Sequence, residues 1–257
     1  MSFRAPDGGD PIRLSQQAMK PALPRRFYRD VTVHAEDDGS FSVRLDGRLA
    51  RTSAKRLLTL PTQELAETVA DEWRAQVELI NPANMPLTRM AFAAHDAVAP
   101  DPEPVLAEII RYAGTDLLCY RATEPESLAL RQTQAWDPLL AWMDERHGAR
   151  FMLAEGVMHV AQPPETLAAA GAAARASTGP FSIAGLHVMT ALAGSLVIAL
   201  AVRDGRLGVA EAWAAAHVDE DHQIARWGED AEAKARRDRR FADFAAAAQA
   251  CKAGLSA

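Results

Sequence analysis

A chain of 257 residues can bury the core of one large domain or two small ones without help from disulfides or metal. Hydrophobic residues at 49% and charged residues at 24% place it among globular proteins and exclude disorder over most of its length. The net charge of −6 argues against a nucleic-acid surface, which needs concentrated basic charge.

Residues 1–24 carry no apolar signal-peptide core, and Asp7 and Asp10 count against a mitochondrial transit peptide, so this stretch reads as a mobile arm. Two widely separated cysteines, Cys119 and Cys251, lack the density of a secreted scaffold and point to a reducing compartment. A bacterial cytoplasm fits best, with a mitochondrial matrix the less favoured alternative.

From Phe27 the pattern has a period of two. Val31 and Val33, then Phe41, Val43 and Leu45, alternate with polar residues, and "EDDGS" and "DG" supply turns, so a β-meander is expected. A further extended piece, "LLTLP", ends at Pro61, and Thr62 is placed to cap a helix in which Leu65, Val69, Trp73 and Val77 fall four apart and Ile80 three further on. That spacing gives one apolar stripe to lie on the sheet, with Trp73 in the core. "NPANMPLT" then forms a loop, with Pro86 restricting the backbone and Thr88 capping a short helix over "LTRMAFAAHDAVA".

The Pro-rich acidic run from Ala99 to Val105 is the best boundary in the chain. Beyond it the pattern is mainly helical. Val105, Ile109 and Tyr112 share a face, and Asp116 reads as a cap or a bonded loop residue. In "QAWDPLLAWMDERHG", Pro138 suits a first helical turn after Asp137 and Gly148 suits the end, with Trp136 and Trp142 packed inside. "FMLAEGVMHV" suggests a short hairpin. An Ala-rich helix follows Pro163 and Pro164. Residues 183–202 carry no formal charge and could span a bilayer, but half are small and no second span accompanies them; a central buried helix is the better reading. The run at 234–240, "KARRDRR", reads as a solvated helix face. The expected fold is α+β: a β-rich N-terminal domain with a packed helix at 25–100, then an α-helical domain at 101–257.

The densest chemistry lies in "HVDEDHQIARWG", residues 217–228. Treating residues from Val209 onward as one helix, Ala212, Trp213, Ala216, Ile224, Trp227 and Ala231 form an apolar stripe with Glu220 at its centre. A carboxylate there is costly to bury unless something pairs with it or the helix leaves the core at that point, so it asks for a partner. His217 shares a face with Glu220 and Asp221, whereas His222 lies about 140° away beside Asp219, so the two histidines do not converge on one ion. Both read as surface or supporting residues. No metal, cofactor, nucleophile elbow or phosphate loop is expected. A docking surface is favoured over the alternative, a helical metal- or carboxylate-dependent enzyme centred on His217, Glu220 and Asp221.

Several segments in order, "FYRDV", "VRLDGR", "LPTQELAETVADEWRAQ", "NMPLTRM", "YAGTDLLCYR", "QAWDPLLAW" and "DEDHQIARWGEDAEA", resemble the assembly chaperones that bind the α subunit of the F-type ATP synthase catalytic head. The combination spans Phe27 to about Arg240. The resemblance implies a two-domain protein without enzymatic activity that keeps free α subunits from aggregating; a monomer is expected, and charge and hydropathy point to no nucleic-acid partner and no stable membrane insertion. The resemblance assigns the functional acid to Glu220, in company with Asp219 and Asp221, with Gln223 and Trp227 bordering that surface; core packing is an equal alternative for Trp227. His222 departs from the family pattern, where an aromatic residue is usual.

Overall fold

The computed structural model describes residues 23–156 and 159–255; most of the N-terminal arm lies outside the described residues. Alternation folds as expected at the start. Strand β1 (Val31–Ala35) pairs antiparallel with β2 (Phe41–Leu45) in the register Val31 to Leu45 and Val33 to Val43, which puts the apolar set on one face. The other edge of β2 pairs with two short strands, β3 (Arg48–Leu49) and β4 (Thr59–Leu60). Thr62 caps helix α1 (Gln63–Arg74), accepting from the Leu65 amide, and α1 packs across β1, β2 and β4 through Leu65, Val69 and Trp73.

The apolar stripe stops short of its expected length. The helix ends at Arg74, and Val77 is 80% exposed, because Gln76 turns the chain: its side chain bonds the Glu72 carbonyl and the Asn81 amide. Helix α2 (Pro86–Ala93) starts with Pro86 in its first turn, but Thr88 is not its cap. Glu72 of α1 fills that role from outside, accepting from the Leu87 and Thr88 amides and the Thr88 hydroxyl, each at 2.7 Å. Burial pushes the Glu72 carboxyl up while these bonds pull it back. Helix α2 continues as a π turn at Ala94–Val98 and packs on the last helix of the chain, an ion pair between Arg89 and Asp243 spanning the contact.

Helix α3 (Glu103–Arg111) buries Leu106 and Ile109, with Val105 and Tyr112 at the margin. Helix α4 runs from Glu126 to His147, starting about a dozen residues before the expected Pro138 start. Pro138 sits mid-helix with both it and Gln134, the residue whose carbonyl loses its intrahelical donor, exposed, so the missing bond falls at the surface rather than in the core. Gly148 closes α4 in the left-handed conformation, as expected. The expected hairpin is absent among the described residues. Instead β6 (Ala154–Glu155) pairs in parallel with β5 (Tyr120–Arg121), while residues 157 and 158 lie outside the described set.

Helix α5 (Pro164–Arg175) is the expected Ala-rich helix. The long apolar segment is not one helix but two, α6 (Pro180–Ala193) and α7 (Leu196–Arg203). Gly194, at φ 67°, ends the first, and Ser195 caps the second by accepting from the Ile198 amide. Asp116, fully buried, also accepts from the Val197 amide; desolvation raises its carboxyl to about 6 against the pull of Ser195 and the backbone donors. Leu196 to Ala201 are all buried, and among the described residues no helix is long and apolar enough to cross a membrane. Three helices complete the chain: α8 (Val209–Ala216), α9 (Val218–Trp227) and α10 (Ala231–Leu255). The α6–α10 pair is the most extensive helix contact among the described residues. It is close enough that backbone meets backbone at Gly185 and Gly254. Cys119 and Cys251 are buried free thiols, pushed by burial to about 12 and about 11.

Candidate functional site

The acidic motif does not sit on one continuous helix. His217 breaks it, at φ −122° and ψ 24°, because its Nδ1 bonds the Trp213 carbonyl at 2.7 Å and its ring lies 3.9 Å from the Trp213 ring. That break resets the phase of α9. The stripe expected through Glu220 instead turns His222 inward, 5% exposed, and brings Glu220 to the surface with 43% of its side chain exposed. His217 is also buried rather than superficial, at 7%. Neither His222 ring nitrogen has a partner among the described residues.

The three acids in the first turn of α9 suit the positive end of the helix dipole, yet they do different jobs. Asp219 accepts from Gln132 Nε2 at 2.7 Å, and the same buried amide accepts from the Ala122 amide at 2.8 Å. Asp219 therefore ties α9 to α4. Asp221 pairs with Arg237 of α10 at 2.6 Å, and that bond holds the guanidinium above its ordinary range. Glu220 has neither kind of anchor. Its nearest basic neighbour is His217 Nε2 at 3.8 Å, and burial lowers the His217 pKa, which leaves the imidazole neutral near pH 7.

Gly228, at φ 86°, turns the chain from α9 into α10, and the two helices enclose a groove of about 190 Å³. Glu220 and Gln223 lie along one wall, Ile224 and Ala233 contribute apolar surface, and Trp227 stands at the rim, 79% exposed. An indole so exposed beside a half-exposed carboxylate contributes little to the fold, and the two offer an apolar contact plus an acceptor. Of the residues expected at a docking surface, Glu220, Gln223 and Trp227 border this groove, Asp221 contributes through Arg237, and Asp219 faces α4. Trp227 is not core.

Arg237 and Gln132 escaped the sequence reading. Arg237 lay in the run read as solvated, but its side chain is 18% exposed and closes the groove; spacing along one helix carries no signal for a bond between two. The enzyme alternative loses its geometry, since Asp221 is neutralised by Arg237 and His217 is bonded to the Trp213 carbonyl. Among the described residues no three His, Cys, Asp or Glu side chains gather as a metal cluster.

Comparison with known proteins bears on the whole chain. A family model described as ATP12 chaperone protein matches residues 25–144. The crystal structure of the Atu1473 protein of Agrobacterium tumefaciens is 46% identical, with a TM-score of 0.85 over 96% of this chain and 92% of that one. Atp12 of Paracoccus denitrificans is 41% identical, with a TM-score of 0.81 over 90% of this chain and 98% of that one. A variant of the Paracoccus protein with an aspartate replaced by lysine is 40% identical and matches with the same TM-score and coverage.

Proposed function

The chain belongs to the ATP12 chaperone family, a family of chaperones that act in ATP synthase assembly and not of enzymes, and from that premise we propose that it shields the free α subunit of the catalytic head at the Glu220 groove. The observation that carries the proposal is the contrast among the three acids. Asp219 and Asp221 are bonded within the chain, whereas Glu220 is exposed beside an exposed Trp227, with His217 at 3.8 Å and only the field of Arg237, whose bond goes to Asp221.

An unassembled ring subunit exposes an apolar interface meant for its neighbour, and such patches aggregate. Trp227 and Ile224 cover apolar surface of that kind, Gln223 adds a polar contact, and Glu220 meets an Arg or Lys that the true neighbour would otherwise satisfy. Asp219 and Asp221 act by holding α9 against α4 and α10, so the groove keeps its shape before the client arrives. On this reading the chain acts as a monomer and divides at about residues 24 and 100 into arm, β-rich domain and helical domain, and it works in a bacterial cytoplasm, the setting that its Agrobacterium and Paracoccus relatives support.

Pull-down from the native host tests this. Wild-type bait is expected to recover the α subunit, and Glu220→Lys bait is expected to fold normally yet recover little. Equal recovery by both removes Glu220 as the docking charge.

A further inference from the structure

Exposed apolar surface recurs at the other end of the molecule. Leu23, Phe27, Leu57, Val77 and Leu79 all remain exposed around the N-terminal sheet, Phe27 at 71%. A two-stranded ribbon places several of them. Arg26 N donates to the Glu78 carbonyl at 2.9 Å and Ile80 N to the Pro24 carbonyl at 2.8 Å, setting Arg25 opposite Leu79. Arg26 is consumed inside this ribbon, donating to the Tyr28, Gln76 and Arg29 carbonyls and lying 4.7 Å from the Tyr28 ring centroid.

Phe27 begins an aromatic ladder, 5.3 Å to the Tyr28 ring and 5.6 Å from there to Trp73. Trp73 is buried and, with Phe27, Arg48 and Arg51, lines a depression of about 550 Å³. Its indole N–H has no acceptor among the described residues, an unusual state for a buried donor.

Basic residues outnumber acidic ones in this part of the chain, and those lining the two neighbouring depressions, Arg25 and Arg29 in one and Arg48 and Arg51 in the other, meet at Tyr28. Residues 23–60 hold eight Lys or Arg against five Asp or Glu, in a chain whose net charge is −6. Arg25, Arg29, Arg48 and Arg51 are exposed, and among the described residues none of them makes an ion pair; Arg51 donates to the Lys55 carbonyl and Arg29 feels the charge of Asp46. The nearby acids are partly engaged: Asp46 accepts the Arg29 and Asp30 amides and Glu36 pairs with Arg44, while Asp30, Asp37 and Glu78 are exposed, so the basic excess of this region is modest.

We propose that this face docks an extended acidic segment of a client protein, its carboxylates meeting Arg25, Arg29 and Arg48 and its apolar side chains meeting Phe27 and Leu79. Arginine suits this role because its planar fork takes a carboxylate through two bonds at once. The face is separate from the Glu220 groove. Arg237 lines the groove, whereas Gln249, twelve residues further along α10, bonds Thr68 of α1, so about 18 Å of helix axis lies between them. Resting on the chaperone reading, the proposal makes the grip two-point, with the second contact strengthened by the first.

The probe is a fluorescein-labelled ten-residue peptide rich in Glu and Leu, read by anisotropy against the full chain, with a Lys- and Leu-rich peptide of the same length as control. Saturable binding of the acidic peptide is expected, weakened at least tenfold by Arg25→Glu, Arg29→Glu and Arg48→Glu together, severalfold by Phe27→Ser, and not by Glu220→Lys. Equal binding of the Lys-rich peptide, unchanged binding by both patch variants, or displacement by a DNA oligonucleotide at equal concentration would each overturn the proposal. Thermal unfolding confirms that the variants fold. Because no ATP synthase subunit is present, failure here is distinguishable from failure of the Glu220 docking charge.

Discussion

The α6–α10 contact positions the helix that lines the Glu220 groove, and at Gly185 an added side chain would meet the neighbouring backbone. A Cβ built there would lie within 3.0 Å of the Ala247 carbonyl oxygen and 2.7 Å from both Cβ and the amide nitrogen of Cys251. Two of those atoms are backbone, so no rotamer relieves the overlap; the helices must separate. Overpacking of this kind costs about 3 to 4 kcal/mol at its upper range. Alanine returns about 1 kcal/mol as the better helix former. Gly185→Ala is therefore expected to lose about 2 to 3 kcal/mol net, a fall in Tm of roughly 5 to 10 °C for a chain of this size. Gly171 in α5 is the matched control, because an added Cβ would meet Ile110 at 3.5 Å, an ordinary contact. Gly171→Ala is expected to be neutral or to gain up to about 1 kcal/mol. Guanidinium and thermal denaturation of both variants decide the matter. If Gly185→Ala is as stable as Gly171→Ala, the close backbone approach is not a feature of the folded protein.

Asp116 gives a pH signature. Its folded carboxyl lies at about 6 and its unfolded one at 3.8, so the folded chain binds more protons between those values and loses stability as pH rises through the window, by about 3 kcal/mol in all. In denaturation at stepped pH, the stability of wild type relative to Asp116→Asn is expected to fall between about pH 4 and 6 and to be level above it; a difference that rises with pH refutes the assignment. Trp227→Ala is expected to leave Tm within about 1 °C of wild type, because the ring is 79% exposed, while weakening α-subunit capture. A large loss of stability would make Trp227 a structural residue.

Local signals in the sequence carried the N-terminal architecture well. The alternation through Val31, Val43 and Leu45 and the Thr62 cap each depend on residues within a few positions, and each formed as read. Features set by distant partners did not. Glu72 caps α2 from another helix, β6 pairs with a strand on the far side of the 22-residue α4, and Pro138 sits mid-helix on an exposed face. The motif singled out Glu220 and left open whether a cation pairs with it or the helix leaves the core there; the structure has the second, with the side chain 43% exposed. The apolar spacing runs unbroken through residue 217, and what interrupts it is the His217 bond and stack onto Trp213, which a helical wheel does not represent.

The central claim is that a single exposed carboxylate, held in place by its bonded neighbours, docks a cation of the α subunit. Titration of purified α subunit into wild-type chain and into Glu220→Lys measures it directly. A loss of 2 kcal/mol or more, about thirtyfold or greater in Kd, with Tm unchanged, is the predicted result. Equal affinity for the two chains would contradict the account.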